Sequence, residues 1–204
     1  MIRTIGITGL IGSGKTVVSR VFGELGAFVI NADEEGHKVL LKSGEAYNDV
    51  VSTFGKEILG CNGYIDRKKL GKVVFNDKTK LNKLNNLTHC HIINRITDKI
   101  SQIKAKPGNY KGIVLEAIYL YEADLVDLCD SWVFINADEE IRLKRVTERD
   151  NMPVEAAKSR INSQKHLLSP EKLSSADFIL ENNETYDNFV KKTEELARHV
   201  FSLD

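Results

Sequence analysis

Cysteine, proline and any excess of one charge are all scarce in this sequence. The cysteines are Cys61, Cys90 and Cys129. Their count is odd and no two form a C-x-x-C pair, so neither a disulfide framework nor a zinc site is expected. Three prolines in 204 residues, with no repeat or biased tract, exclude collagen-like, solenoid and disordered classes. Long hydrophobic runs are missing too. Ile113 to Tyr121 is the most apolar internal stretch, yet it carries Glu116 and is far too short to cross a bilayer. The apolar start, Ile5 to Ile11, is short and broken by glycines, unlike a secretory leader, and neither end carries a lipidation signal. A soluble, cytoplasmic protein is expected. Lys+Arg and Asp+Glu each total 29, so no global field draws the chain onto nucleic acid or an anionic membrane. His89-Cys90-His91 has metal-binding residue types, but it falls in a helical stretch. Neighbouring helical side chains diverge by about 100° and cannot converge on one ion.

What is present is an alternation of strands and helices. Ile2 to Thr8 is a short apolar run with β-branched residues that ends in a glycine-rich turn, which predicts a buried strand. Val17, Val18, Val21, Phe22 and Leu25 then recur at helical spacing from about Ser13 to Leu25, and Gly26 supplies the stop. Ala27 to Asn31 predicts the second strand. Residues 33–104 are mostly helical in pattern, in two segments, 44–60 and 66–104, parted by the turn Gly60-Cys61-Asn62-Gly63. Pro107-Gly108-Asn109 closes this insertion. Strands resume at Gly112 to Leu115, Trp132 to Ile135 and Phe178 to Leu180, with helices over Ala137 to Arg149 and 184–201. Five strands joined by helical connections predict a parallel sheet in an α/β fold.

Gly9-Leu10-Ile11-Gly12-Ser13-Gly14-Lys15-Thr16 matches G-x-x-x-x-G-K-[ST] between the first strand and the first helix. Each fixed type has a chemical reason. The glycines permit backbone turns and close approach to an anion. Loop and helix N–H groups then surround phosphate oxygens. Lys15 supplies a mobile positive charge for the β- and γ-phosphates, and the Thr16 hydroxyl is a ligand for Mg²⁺. Binding of a nucleoside triphosphate, ATP with Mg²⁺, is expected.

A GTPase fits poorly. Asp33-Glu34-Glu35-Gly36 matches D-x-x-G, but it follows the very next strand, and no N-K-x-D guanine-reading sequence exists. A motor or transport ATPase would show an apolar strand ending in Asp. Here Gly112-Ile113-Val114-Leu115 ends in Glu116, a carboxylate able to hold Mg²⁺ through water or to touch substrate. A small-molecule kinase fits better. Arg142, Arg145 and Arg149 recur at spacings of three and four, and Arg160 follows in a polar, basic segment. A phosphoryl group in transfer spreads charge over its oxygens, so cations that close over it are required. A solvated face paired with Glu139, Glu140 and Glu148 is the competing reading of these arginines.

Several stretches, in order along nearly the whole chain, resemble the dephospho-coenzyme A kinase family. Thr8 to Thr16 is similar to that family's T-G-G-I-G-S-G-K-S loop, and Val29-Ile30-Asn31-Ala32-Asp33 to its V-I-D-A-D. Leu84 to Ile92, with His89, resembles L-x-x-L-x-H-P-x-I, and Leu120-Tyr121-Glu122 resembles L-L-F-E. Arg145 with Arg149-Asp150, Arg160 with Gln164, and Ala176-Asp177 through Asn182-Asn183 match the closing stretches. Departures are Asn31 for the first aspartate of D-A-D, Leu10 for a loop glycine, Cys90 for the proline after His89, and Ile118 for a proline before Tyr119. They put the shape of the substrate pocket in doubt, not the chemistry.

The resemblance implies transfer of the ATP γ-phosphoryl group to the ribose 3′-hydroxyl of dephospho-coenzyme A. It implies a P-loop core (1–32, 111–149, 173–204), a helical substrate domain (33–110) and a lid (150–172). Catalytic roles fall to Asp33, Lys15 and Arg145, with Arg142 and Arg149 as further lid cations. ATP contacts fall to Gly12, Ser13, Gly14, Lys15, Thr16, Val17, Arg145 and Asn182. Substrate contacts fall to Asp33, His89 and Glu122. Mg²⁺ falls to Thr16, with Asp33 or Glu116 through water. Asp33 also stands at the carboxyl end of the second strand, where ligands of open α/β sheets bind, although it could instead cap the following helix. His89 could equally be a packed histidine. Lys68, Lys69 and Lys72 read as a basic patch for substrate phosphates or as a solvated helix face. The expected partners are ATP and dephospho-coenzyme A alone, for a monomer without nucleic acid or membrane. Another small P-loop kinase, or a nucleotide-binding regulator, remains the alternative.

Overall fold

The computed structural model describes residues 2–75, 77–120, 123–167 and 173–202. In chain order the elements are β1 (Arg3–Gly9), α1 (Lys15–Glu24), β2 (Ala27–Asn31), α2 (Ala32–Val39), α3 (Tyr47–Phe54), α4 (Arg67–Val74) and α5 (Lys78–Ala105). There follow β3 (Gly112–Glu116), β4 (Ser131–Asn136), α6 (Glu139–Asp150), α7 (Val154–Ser163), β5 (Phe178–Glu181) and α8 (Tyr186–Phe201). The chain divides into two compact units, Met1–Ile30 with Ile100–Asp204, and Asn31–Lys99.

The first unit is built on a five-stranded parallel sheet of order β2-β3-β1-β4-β5. All five expected strands are present, with ends shifted by no more than one residue. Strand β1 lies between β3 and β4, with Ile5 opposite both Val114 and Ser131. Sheets covered on both faces need unbroken apolar strands. Ile113, Val114 and Leu115 are accordingly all fully buried, whereas Val29 on edge strand β2 and Ile179 on edge strand β5 are partly open. Ile5, Ile7, Val18, Phe22, Val133 and Phe189 share one core. Phe22 of α1 meets Phe201 of α8 edge to face, with ring centroids 5.5 Å apart. Because β3 and β4 flank β1, the chain works to one side of β1 before crossing to the other. That reversal opens a crevice at the carboxyl ends of the strands.

The second unit is helical. Val39, Val50, Phe54, Ile58, Leu70 and Val74 form its core, and Leu81, Leu84, Leu87 and Ile92 of α5 pack against it. Asp66 caps α4 by accepting from Lys68 N and Lys69 N at 2.9 and 3.2 Å. The Asp77 carboxylate does the same at the start of α5 for Thr79 N and Lys80 N. The glycine turn at 60–63 is closed by an antiparallel bridge between Leu59 and Ile65. No described helix is long and apolar enough to cross a membrane.

Candidate active site

β1 ends at Gly9, and the loop to α1 turns through glycines with positive φ, 79° at Gly12 and 108° at Gly14. Such angles favour glycine, and the packing demands it as well. A Cβ on Gly14 would lie 2.4 Å from Asn182 Nδ2, and one on Gly12 would lie 2.9 Å from Arg142 O. Gly14 precedes α1 without a side-chain cap, and the first turn carries no acidic residue. The N-terminus of this helix is therefore electrostatically suited to an anion.

Lys15 is buried and its Nζ donates to Gly9 O at 2.7 Å and Leu10 O at 3.3 Å. The side chain thus runs along the inside of its own loop. Thr16 is exposed, and its hydroxyl donates to Glu116 Oε1 at 3.4 Å. Glu116, the last residue of β3, is buried. Val17 N donates to Gly14 O at 3.0 Å and its side chain packs on the core, so this residue serves the helix.

Three side chains from distant elements hold the loop. Gln164, just beyond α7, accepts from Ile11 N at 2.8 Å. Arg145 of α6 donates to Gly12 O at 3.4 Å and to the backbone and side-chain oxygens of Asn182, both at 3.1 Å. Asn182, just beyond β5, donates from Nδ2 to Ser13 O at 2.7 Å and from its own N–H to Asn136 O at 2.8 Å. Drawing the Gly12 and Ser13 carbonyls backward leaves N–H groups for the front of the loop, as an anion-binding nest requires. Burial pulls the pKa of Arg145 below its ordinary value, which places a desolvated cation against the loop.

The other arginines have separate surroundings, a distinction that their spacing did not reveal. Arg142 is buried and donates from Nε to Ala137 O at 2.9 Å, and its Nη1 has no partner among the described residues. Arg149 pairs with Asp150 at 2.7 and 3.0 Å, and Arg160 reaches the same carboxylate at 3.2 Å. The hydrogen bond from Arg149 leads in holding Asp150 below its usual range.

Within the second unit, Asn31 Oδ1 caps α2 by accepting from Asp33 N at 2.9 Å and Glu34 N at 3.2 Å. The cap is thus filled by the residue that departs from D-A-D, and the Asp33 carboxylate stands exposed in the first turn. Glu35, which sequence reasoning passed over, is 2% exposed and gathers three cations. Lys38 and Lys99 each approach Oε1 at 2.7 Å, and Arg95 approaches Oε2 at 3.1 Å while also holding Glu45 at 2.8 Å. Burial alone would raise the Glu35 pKa, but the cations outweigh it and hold the group at about 2. His89 is half-buried on α5, between Thr88 and the exposed Cys90. Lys68, Lys69 and Lys72 are exposed on α4, and Lys69 Nζ donates to Leu59 O at 2.6 Å. Glu122 lies outside the described residues. Gln164 was also missed as a site residue; its one sequence signal was its spacing from Arg160.

A phosphate loop between a central parallel strand and its helix, backed by an arginine from the helix after β4, defines a small P-loop kinase. The sequence model for dephospho-CoA kinase matches residues 3–188. The dephospho-CoA kinase of Fusobacterium nucleatum is 36% identical over 199 residues, covering 98% of this chain and 99% of that protein. That of Carboxydothermus hydrogenoformans is 39% identical over 179 residues, covering 88% and 85%. The solved dephospho-CoA kinase from Campylobacter jejuni is similar with a TM-score of 0.65 and 29% identity over 97% of both chains. The chain belongs to the dephospho-CoA kinase family.

Proposed function

We propose that this protein transfers the γ-phosphoryl group of ATP to the ribose 3′-hydroxyl of dephospho-coenzyme A, releasing coenzyme A and ADP as the last step of coenzyme A synthesis. The observation that carries this reading is a phosphate loop braced at Gly12 and Ser13 by Arg145 and Asn182, in a chain that matches the family over residues 3–188. The loop from Gly12 to Thr16 binds the triphosphate, and Lys15 neutralises charge on its outer phosphates. Val17, in the first turn of α1, is a further contact to the triphosphate. Arg145, held beside the loop, stabilises the group in transfer. Asp33, exposed in the first turn of α2, orients the acceptor hydroxyl and takes its proton.

The Thr16 hydroxyl and Glu116 carboxylate are hard oxygen donors 3.4 Å apart, a donor set that suits a hydrated Mg²⁺. Bound there, the ion would neutralise phosphate charge during transfer. The helical segment 33–110, with His89 and Glu122, receives the acceptor, and 150–172 acts as the lid. The protein works as a cytoplasmic monomer on these two small molecules.

The decisive assay follows ADP release from ATP and Mg²⁺ with dephospho-coenzyme A, adenosine, AMP or no acceptor. Release with dephospho-coenzyme A alone is expected. Release with another acceptor would overturn the substrate, and silence throughout would favour a regulator.

A further inference from the structure

The Ile11 amide of the phosphate loop is taken by a residue of segment 150–172, Gln164. Ile11 N can only donate, so the Gln164 carboxamide must turn its oxygen towards the loop. The bond is 2.8 Å long and the side chain is 9% exposed. Its orientation is therefore fixed, and the NH₂ group must point to the opposite side of the carboxamide. Among the described residues nothing accepts a hydrogen bond from Nε2. Nε2 keeps access to solvent, so this donor beside an anion-binding loop is open to an acceptor on a ligand. A hydrogen bond accepted at the carboxamide oxygen also polarises the group and strengthens its N–H as a donor.

We propose that Gln164 is a further ATP-contacting residue, donating through Nε2 to an oxygen of the terminal phosphate. This rests on Gly9–Thr16 being the ATP site. The loop amides and the N-terminus of α1 cradle the inner phosphates in either nucleotide. Only the triphosphate extends beyond that cradle, and Gln164 would meet its outer end on the Ile11 side of the loop. Gln164 thus distinguishes ATP from ADP. It also ties the lid to the donor, because it is the residue that ends α7, its N–H bonded to Ile161 O at 3.1 Å.

The test is a titration of the full chain with ATP and with ADP, in Mg²⁺ and without acceptor. Gln164→Ala is expected to weaken ATP binding by about tenfold to a hundredfold, the usual worth of a hydrogen bond to a charged group. ADP binding should change by less than about twofold, because the inner phosphates keep their contacts. Gln164→Glu keeps the acceptor for Ile11 but replaces the donor with a carboxylate. It should therefore weaken ATP more than alanine does while sparing ADP, and it serves as the test if the alanine variant fails to fold. Equal losses for ATP and ADP would reduce Gln164 to a loop fastener and overturn the proposal, as would no loss. Wild-type protein that binds neither nucleotide would overturn both this proposal and the ATP site beneath it. Turnover of dephospho-coenzyme A by the wild type tests the acceptor separately.

Discussion

Gly14 and Asp33 carry the sharpest consequences at the level of single residues. Gly14 combines a φ of 108° with a Cβ position 2.4 Å from Asn182 Nδ2. Gly14→Ala should push Asn182 off Ser13 O and spoil the loop. A loss of ATP affinity of tenfold or more is expected, about 1.4 kcal/mol or above. A titration with ATP checks it, and unchanged binding would mean that the loop tolerates the shift. At Asp33 the capping duty belongs to Asn31, so the helix does not need the Asp33 carboxylate as its cap. Asp33→Asn should fold normally, bind ATP normally and lose about 10²–10⁴-fold in turnover. Near-normal turnover with dephospho-coenzyme A would remove Asp33 from the mechanism.

Among the elements, α2 is the most dependent on particular side chains. It has only eight residues, too few to be stable by propensity, and it is fastened at both its start and its middle. Asn31→Ala removes the cap and should cost about 1 kcal/mol in denaturant unfolding, whereas Asn31→Asp should keep nearly all of it. Glu35 fastens α2 to Arg95 and Lys99, one turn apart on α5. Its pKa of about 2 in the fold lies below its ordinary 4.5. The stabilisation is therefore complete above the ordinary value and is lost as pH falls towards the folded one. The thermal midpoint of Glu35→Gln should lie well below wild type at neutral pH, where three cations lose their charged partner. The gap should close between about pH 4.5 and 2. A gap independent of pH would show that shape, not charge, holds α2.

Across the whole molecule, the phosphate loop gathers support from segments far apart in sequence. Nucleotide should therefore slow amide hydrogen exchange together at 9–16, 142–149, 160–167 and 180–184. Protection confined to 9–16 would mean that α6, α7 and the turn after β5 do not respond to the ligand. These scales also explain what could be read in advance. Strands were legible because Ile113 to Leu115 and similar runs are short, apolar and bounded by turns. The loop was legible because phosphate chemistry fixes residue types at Gly9, Gly14, Lys15 and Thr16, close together in sequence. The helical segment 66–104 hid a division between α4 and α5 at the Asp77 cap, because apolar spacing continues across it. Gln164 and the bracing by Asn182 were hidden because they depend on tertiary approach, over sequence separations of 153 and 169 residues. Arg142, Arg145 and Arg149 share a spacing, but only burial and partners separate the one on the loop from the other two.

The same separations set an order of assembly. During synthesis the loop emerges first, on a strand whose neighbours β3 and β4 are translated far later. Its braces, Arg145, Gln164 and Asn182, emerge last. The chain must be synthesised through residue 182 before the loop can take the shape that holds a phosphate. Until then the glycine-rich stretch lacks the braces that shape it for a nucleotide, and a product truncated before residue 182 should not sequester ATP.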